Sequence, residues 1–140
     1  KTAIELVKLG EENGIKDKIS GVPLNNIRFF NGGKKVKDTI LGIITGMLLN
    51  SPEVQCSDRP LIAFADSSDG SNMLKVSGRG TKEMVDRGLD LSLAMIKSSK
   101  ECGGTGGGHN IAAGASVPYG KENEFLLKLD KMIGQQINGE

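Results

Sequence analysis

The sequence predicts an α/β fold, a small mixed β-sheet with helices packed around it, on three observations. Leu61-Ile62-Ala63-Phe64-Ala65 is a short apolar run bounded by turn residues, as a strand buried on both faces should be. Met73-Leu74-Lys75-Val76-Ser77 alternates in the manner of a strand with one buried face. Phe125, Leu126, Leu129, Met132, Ile133 and Ile137 recur at helical spacing and form one apolar stripe. The sheet is expected from segments near 61–65, 72–77 and 115–118.

Taken in chain order, residues 1–14 predict a helix with Ala3, Leu6 and Val7 on one face and Gly14 as its stop. Gly21 to Asn26 carries turn chemistry. Ile27-Arg28-Phe29-Phe30 predicts a short strand, closed by Asn31-Gly32-Gly33. Asp38 is the expected N-cap of a helix running to about Leu49. In that helix Gly42 and Gly46 lie one turn apart, so another element is expected to approach closely there. The apolar run Ile40–Leu49 is roughly half the length that spans a bilayer, which makes it a buried helix rather than a membrane segment.

Ser51 to Pro60 is a polar loop, and Asp66-Ser67-Ser68-Asp69-Gly70 a hairpin-type turn. A calcium loop does not fit the latter, because glycine sits one position early and no glutamate closes it. Thr81 caps a short helix to Arg87, and Asp90 caps a second one to about Glu101, with Leu91, Ala94 and Met95 inward. A glycine-rich loop follows, then a helical turn at Asn110–Ala113 and a short strand Ala115–Pro118. Lys121 to Asn138 is the last helix, with Glu122 and Glu124 at the end its dipole favours.

The chemistry concentrates in Gly103-Gly104-Thr105-Gly106-Gly107-Gly108-His109-Asn110, where the only histidine of 140 residues ends a glycine run. Without Cβ atoms, backbone amides there can approach a ligand closely and line an anion-binding concavity, with His109 at the rim. A plain linker or turn is the alternative reading. The run is not a nucleotide P-loop, since no lysine follows the glycines, and a predicted helix before it excludes the dinucleotide fingerprint. Ser77-Gly78-Arg79 ends a strand, where ligands of α/β folds collect. Arginine grips phosphate through paired hydrogen bonds. The competing roles for Arg79 are a surface position or an ion pair with Glu83 or Asp86.

Composition narrows the field. The net charge is only +1, so a nucleic-acid contact must be local, and Lys34-Lys35-Val36-Lys37 is either a solvated face or such a patch. Aromatic residues make up 4% with no tryptophan, which argues against a stacking platform for single strands. Two cysteines, Cys56 and Cys102, and one histidine cannot complete a zinc site. Reduced thiols and the absence of a leader predict a cytoplasmic protein, although one disulfide remains compatible. No residue is assigned a catalytic or metal-binding role, because phosphodiester hydrolysis calls for clustered carboxylates and histidines.

Ser77-Gly78-Arg79 with Gly106-Gly107-Gly108-His109-Asn110-Ile111-Ala112-Ala113-Gly114 resembles the DHH-associated substrate-binding domain of the DHH phosphoesterases, most closely archaeal RecJ-like single-strand exonucleases. Asp38–Gly46 and Arg59–Ala65 resemble the family's supporting helix and strand. The resemblance implies one domain over residues 1–140, the C-terminal piece of a longer chain. A DHH domain holding manganese or magnesium is implied in that chain. It further implies that Ser77, Arg79, Gly106, Gly107, Gly108, His109 and Asn110 bind the phosphate of single-stranded nucleic acid or a small nucleotide. Gly107→Val is expected to block that approach and strain the loop. The glycine run is also similar to the C-terminal domain of alanyl-tRNA synthetases, which implies a nucleic-acid-binding appendage instead. Docking to replication proteins is a third expectation by analogy, and no membrane partner is expected.

Overall fold

The computed structural model describes residues 14–51 and 58–139. Strands β1 (Lys18–Ile19) and β2 (Val22–Pro23) form a small hairpin. The main sheet contains β3 (Arg28–Asn31), β4 (Leu61–Asp66), β5 (Met73–Arg79), β6 (Thr105–Gly108) and β7 (Ala112–Pro118). Their order across it is β3-β4-β5-β7-β6. The β3–β4 pair is parallel and the other pairs antiparallel, so the sheet is mixed as expected. Four helices complete the described residues: α1 (Leu41–Leu49), α2 (Lys82–Asp86), α3 (Leu91–Glu101) and α4 (Glu122–Asn138).

Strand alternation sorts the core into two layers. Leu61, Ala63 and Ala65 of β4 turn toward α1 and pack with Phe30, Leu41 and Ile44. Ile62 and Phe64 turn the other way and join Val76, Met95, Val117 and Phe125 under α3 and α4. All five residues from Leu61 to Ala65 are fully buried, which is why this strand reads as an unbroken apolar run. Phe64 and Phe125 meet edge to face, ring centroids 6.1 Å apart, a geometry worth about 0.5–1.5 kcal/mol beyond burial.

The helix signals hold at α2, α3 and α4. The Thr81 hydroxyl accepts from Met84 N–H at 3.3 Å, and the Asp90 carboxylate from Leu93 N–H at 3.2 Å. Asp90 and Gln136 exchange two 3.0 Å bonds that tie the start of α3 to the end of α4. Asn26 donates to Asp130 through its backbone N–H at 2.8 Å and through its amide at 3.1 Å, fixing the loop before β3 on α4.

Four expectations change. Asp38 does not cap a helix: it opens a 3₁₀ turn, Asp38–Ile40, and its Oδ2 accepts from Ser68 N–H at 3.1 Å instead. The glycine run is not a loop, because Thr105–Gly108 is an edge strand. Asn110–Ala113 is no helical turn, since Asn110 and Ile111 form the tip of the β6–β7 hairpin and β7 begins at Ala112. Gly21–Asn26 is not wholly loop, because Val22–Pro23 pairs with Lys18–Ile19. The helix expected over residues 1–14 falls, but for Gly14, outside the described residues, as do positions 52–57 of the polar loop with Cys56. Cys102 is a buried free thiol. No described helix is long and apolar enough to cross a membrane.

Candidate functional site

The register of three strands builds an open face. Arg79 of β5 lies opposite Ala112 of β7, and Ala112 C=O accepts the His109 N–H at 2.8 Å. Arg79 and His109 therefore flank Ala112 on one row across the sheet. At about 4.8 Å per strand step their backbones are about 10 Å apart. The next row is Ser77, Gly114 and Gly107, and the one beyond it Lys75, Ser116 and Thr105. Small residues in the middle of every row leave a shallow floor. Cations stand along the β5 side of it.

Two adjoining cavities fill this face. One, of about 390 Å³, is lined by Gly42, Ser77, Arg79, Gly108, His109 and Ala112 among others, with Asp38 on its far wall. The other, of about 310 Å³, is lined by Thr105, Gly106, Gly107 and Ser116, and shares Lys75 and Gly114 with the first. Ser77, Arg79, Gly108 and His109 thus border one cavity, and Gly106 and Gly107 the next. Asn110 lines neither. It sits exposed at the hairpin tip, where its carbonyl accepts from Leu91 N–H at 2.9 Å.

Arg79 is held rather than free. Its Nε donates to Gly42 C=O at 3.2 Å, across the gap between β5 and the first turn of α1. A Cβ on Gly42 would stand 2.9 Å from Arg79 Nη2 and 3.6 Å from Ser77 Oγ. The missing side chain is what seats the guanidinium. Gly46 does not share that role, since nothing lies within 4 Å of its Cβ position. Among the described residues no carboxylate pairs with Arg79, so the ion pair with Glu83 or Asp86 does not form.

The glycine run departs from a cradle of consecutive inward amides. Counting back from the His109–Ala112 bond, antiparallel alternation spends the N–H groups of Gly107 and Thr105 on β7 and turns those of Gly106 and Gly108 to the open sheet edge. The two faces of β6 also differ. A Cβ on Gly106 would lie 2.7 Å from Met95 O and 3.0 Å from Ser99 Oγ, so this glycine lets β6 press against α3. Gly108 has φ +137° and a Cβ there would meet the Ala112–Ala113 backbone, whereas a Cβ on Gly107 would meet nothing.

Asp38 is the acidic group nearest this floor. Hydrogen bonds from Ser68, above all its backbone N–H, hold the carboxyl below the ordinary carboxylate range. Among the described residues no three Asp, Glu, His or Cys side chains gather as metal ligands would. Lys75 and Gly42 are the positions that sequence reasoning did not place in the site. The period-two alternation that puts Lys75, Ser77 and Arg79 on one face of β5 was the available signal for the first. For the second, the helix glycine signalled the close approach that β5 makes, but not which residue makes it, since that partner lies 37 positions away.

Residues 24–135 match the family model described as the DHHA1 domain. An uncharacterized protein of Methanocaldococcus jannaschii is 41% identical over 114 residues, which cover 81% of this chain and 23% of that protein. The chain thus spans about a quarter of that relative's length. Among solved structures, the C-Ala domain of Aquifex aeolicus alanyl-tRNA synthetase superposes with TM-score 0.54 at 20% identity, over 79% of this chain and 93% of that one. The DHH domain of a member of a ribosomal-protein family gives TM-score 0.64 at 18% identity, covering 94% and 30%. The pGpG-specific phosphodiesterase PggH of Vibrio cholerae gives 0.59 at 13%, covering 96% and 40%. At these identities the likeness is one of fold.

Proposed function

Because the chain belongs to the DHHA1 domain family, we propose that its open sheet face binds the phosphates of a nucleic acid or nucleotide and presents them to a hydrolytic centre elsewhere in a longer protein. The row Arg79–Ala112–His109 carries this reading. It sets two side chains able to donate to an anion on either side of a floor with no bulk. Lys75, which lines both cavities, adds a further charge. The seat on Gly42 leaves the Nη groups of Arg79 available, so the side chain meets an anion already oriented.

The finer assignment is a RecJ-like phosphoesterase acting on single strands, in which a DHH domain supplies manganese or magnesium. Asp38, Asp66 and His109 do not make a ligand set for such an ion, so no step of hydrolysis is assigned to this chain. Its part is to hold and orient. A nucleic-acid-binding appendage of the alanyl-tRNA synthetase type is the second reading, favoured by the near-complete coverage of the C-Ala domain.

Labelled single-stranded DNA, RNA and dinucleotides, incubated with the 140-residue chain in manganese, test the division of labour. Binding without cleavage is expected. Turnover that a chelator abolishes would place catalysis in this chain and overturn the reading.

A further inference from the structure

A third cavity, larger than either of those on the sheet face, opens on the far side of Asp38. It measures about 580 Å³ and lies between the Lys34–Asp38 segment, the Asp66–Asn72 turn and Tyr119. Asp38 lines both this space and the one containing Arg79, so the two are neighbours along β5. From Arg79 to Met73, which lines the new cavity, β5 runs six residues, or about 20 Å.

Its chemistry differs from that of the phosphate floor. Tyr119, the only tyrosine of the chain, is 55% exposed at the mouth. Lys34 and Lys37 also line it and are exposed. Asp66 and Ser67, both half-buried, and the exposed Asn72 add acceptors and donors to its lining. Asp38 Oδ1 is buried and has no hydrogen-bond partner among the described residues, an acceptor short of a donor. An exposed ring that shares a cavity with polar groups and cations suits a flat, hydrogen-bonding ring attached to a phosphate chain.

We propose that this cavity is a nucleobase subsite: a base stacks on Tyr119 and its flanking phosphate rests on Lys34 and Lys37, while the strand continues past Asp38 to Arg79 and His109. The inference rests on the phosphate-binding reading and sharpens it, since it makes the ligand a single strand several nucleotides long rather than a dinucleotide. The scarcity of aromatic residues excludes a platform of several rings. One ring at one end of a charged groove needs only one. Asp38 then separates two anion-holding stretches, and the strand crosses it with a sugar or base edge rather than a phosphate.

Fluorescence anisotropy at low salt, using the 140-residue chain with a labelled thymidine octanucleotide and a labelled dinucleotide, tests it. Tyr119→Ala is expected to weaken the octanucleotide about tenfold, the loss of one stacked base, and to leave the dinucleotide unchanged. Tyr119→Phe keeps the ring and should restore tight binding. Lys34→Ala with Lys37→Ala should lower octanucleotide affinity and flatten its salt dependence. Arg79→Ala should weaken both ligands. If Arg79→Ala matters while Tyr119→Ala changes neither ligand, or both alike, the subsite is wrong and the phosphate reading stands. If Arg79→Ala changes neither, or the octanucleotide does not bind, both fail. Circular dichroism of each variant controls for folding.

Discussion

Arg79 and Gly42 form one unit although they belong to different elements. The guanidinium Nε donates to the glycine carbonyl at 3.2 Å, and the space of the absent Cβ is occupied by Nη2. Stability and binding should therefore respond in opposite directions when that space is filled. Alanine is the better helix former, so Gly42→Ala should hold or raise the melting temperature. The displaced side-chain end is flexible and moves at little cost to the fold, but it no longer points at the floor. Affinity for single-stranded DNA should fall several-fold. Gly46→Ala, in open space on the same helix, should stabilise by about 0.5–1 kcal/mol with affinity unchanged. Thermal melts and anisotropy on the pair check this, and a Gly42→Ala variant with full affinity would deny Arg79 its role.

Arg79→Ala and His109→Ala should each weaken nucleotide or single-strand binding about tenfold to a hundredfold. The loss of one charge-assisted hydrogen bond, about 1.5–3 kcal/mol, sets that range. Neither change should disturb the fold, since Arg79 holds one backbone carbonyl and the His109 side chain is exposed. Titration calorimetry with unchanged circular dichroism is the measurement. Arg79→Lys should recover little, because a lysine cannot bond Gly42 and a phosphate with the same planar group.

How far the sequence revealed these features follows from where their causes lie. Leu61–Ala65 was legible because burial on both faces leaves an unbroken apolar run, and the stripe of α4 because one buried face writes a helical period into nearby residues. The caps Thr81 and Asp90 were legible because their partners sit three residues on. Asp38 misled because its partner, Ser68, is 30 residues away across a turn. The glycine run misled more deeply. Glycine disfavours strands on propensity, yet Gly106 is needed so that β6 can lie against the backbone of α3, a tertiary demand with no local trace. The common row of Arg79 and His109 depended on register, and only the strand-end position of Arg79 hinted at it.

Asp90 gives a test of acid stability. The Ser92 hydroxyl, followed by the Leu93 N–H, holds its carboxyl below the ordinary 3.8. A lowered folded-state pKa adds stability above the unfolded value and loses it as pH falls through the folded one. Asp90→Ala should destabilise by about 1 kcal/mol near neutral pH, the typical cost of a lost cap. The difference from wild type should shrink in urea melts taken below about pH 4. A gap that stays constant to lower pH would mean that the charge of Asp90 is irrelevant.

Cys102 works in the other direction. Burial, aided by Glu124, raises its thiol to about 11 from 9.0. A raised folded-state pKa keeps its full stabilising effect below the unfolded value and loses it as pH rises through the folded one. Stability of a Cys56→Ser background should accordingly decline from about pH 9 toward pH 11 more steeply than that of the same background with Cys102→Ala. Thiol alkylation of the folded background near neutral pH should be slow and should become fast on unfolding. Rapid alkylation of the folded protein would contradict the buried, protonated thiol.

The sharpest distinction lies between adjacent glycines of β6. Gly106 faces α3, where a Cβ would stand 2.7 Å from the Met95 carbonyl oxygen, and backbone cannot rotate aside. Gly106→Val should therefore cost about 1–3 kcal/mol or more, as overpacking does. Gly107 faces the open floor with nothing within 4 Å and without a positive φ. Valine suits an extended edge strand, so Gly107→Val should leave the fold intact, contrary to the strain a loop would have suffered. Its methyl groups would still stand on the floor beside Gly114, in the cavity that Lys75 also lines, and should lower single-strand affinity several-fold. A melt and a binding isotherm on each variant separate the roles: stability lost at Gly106, affinity lost at Gly107. If both variants lose only stability, the glycine run serves packing alone and the second cavity holds no ligand.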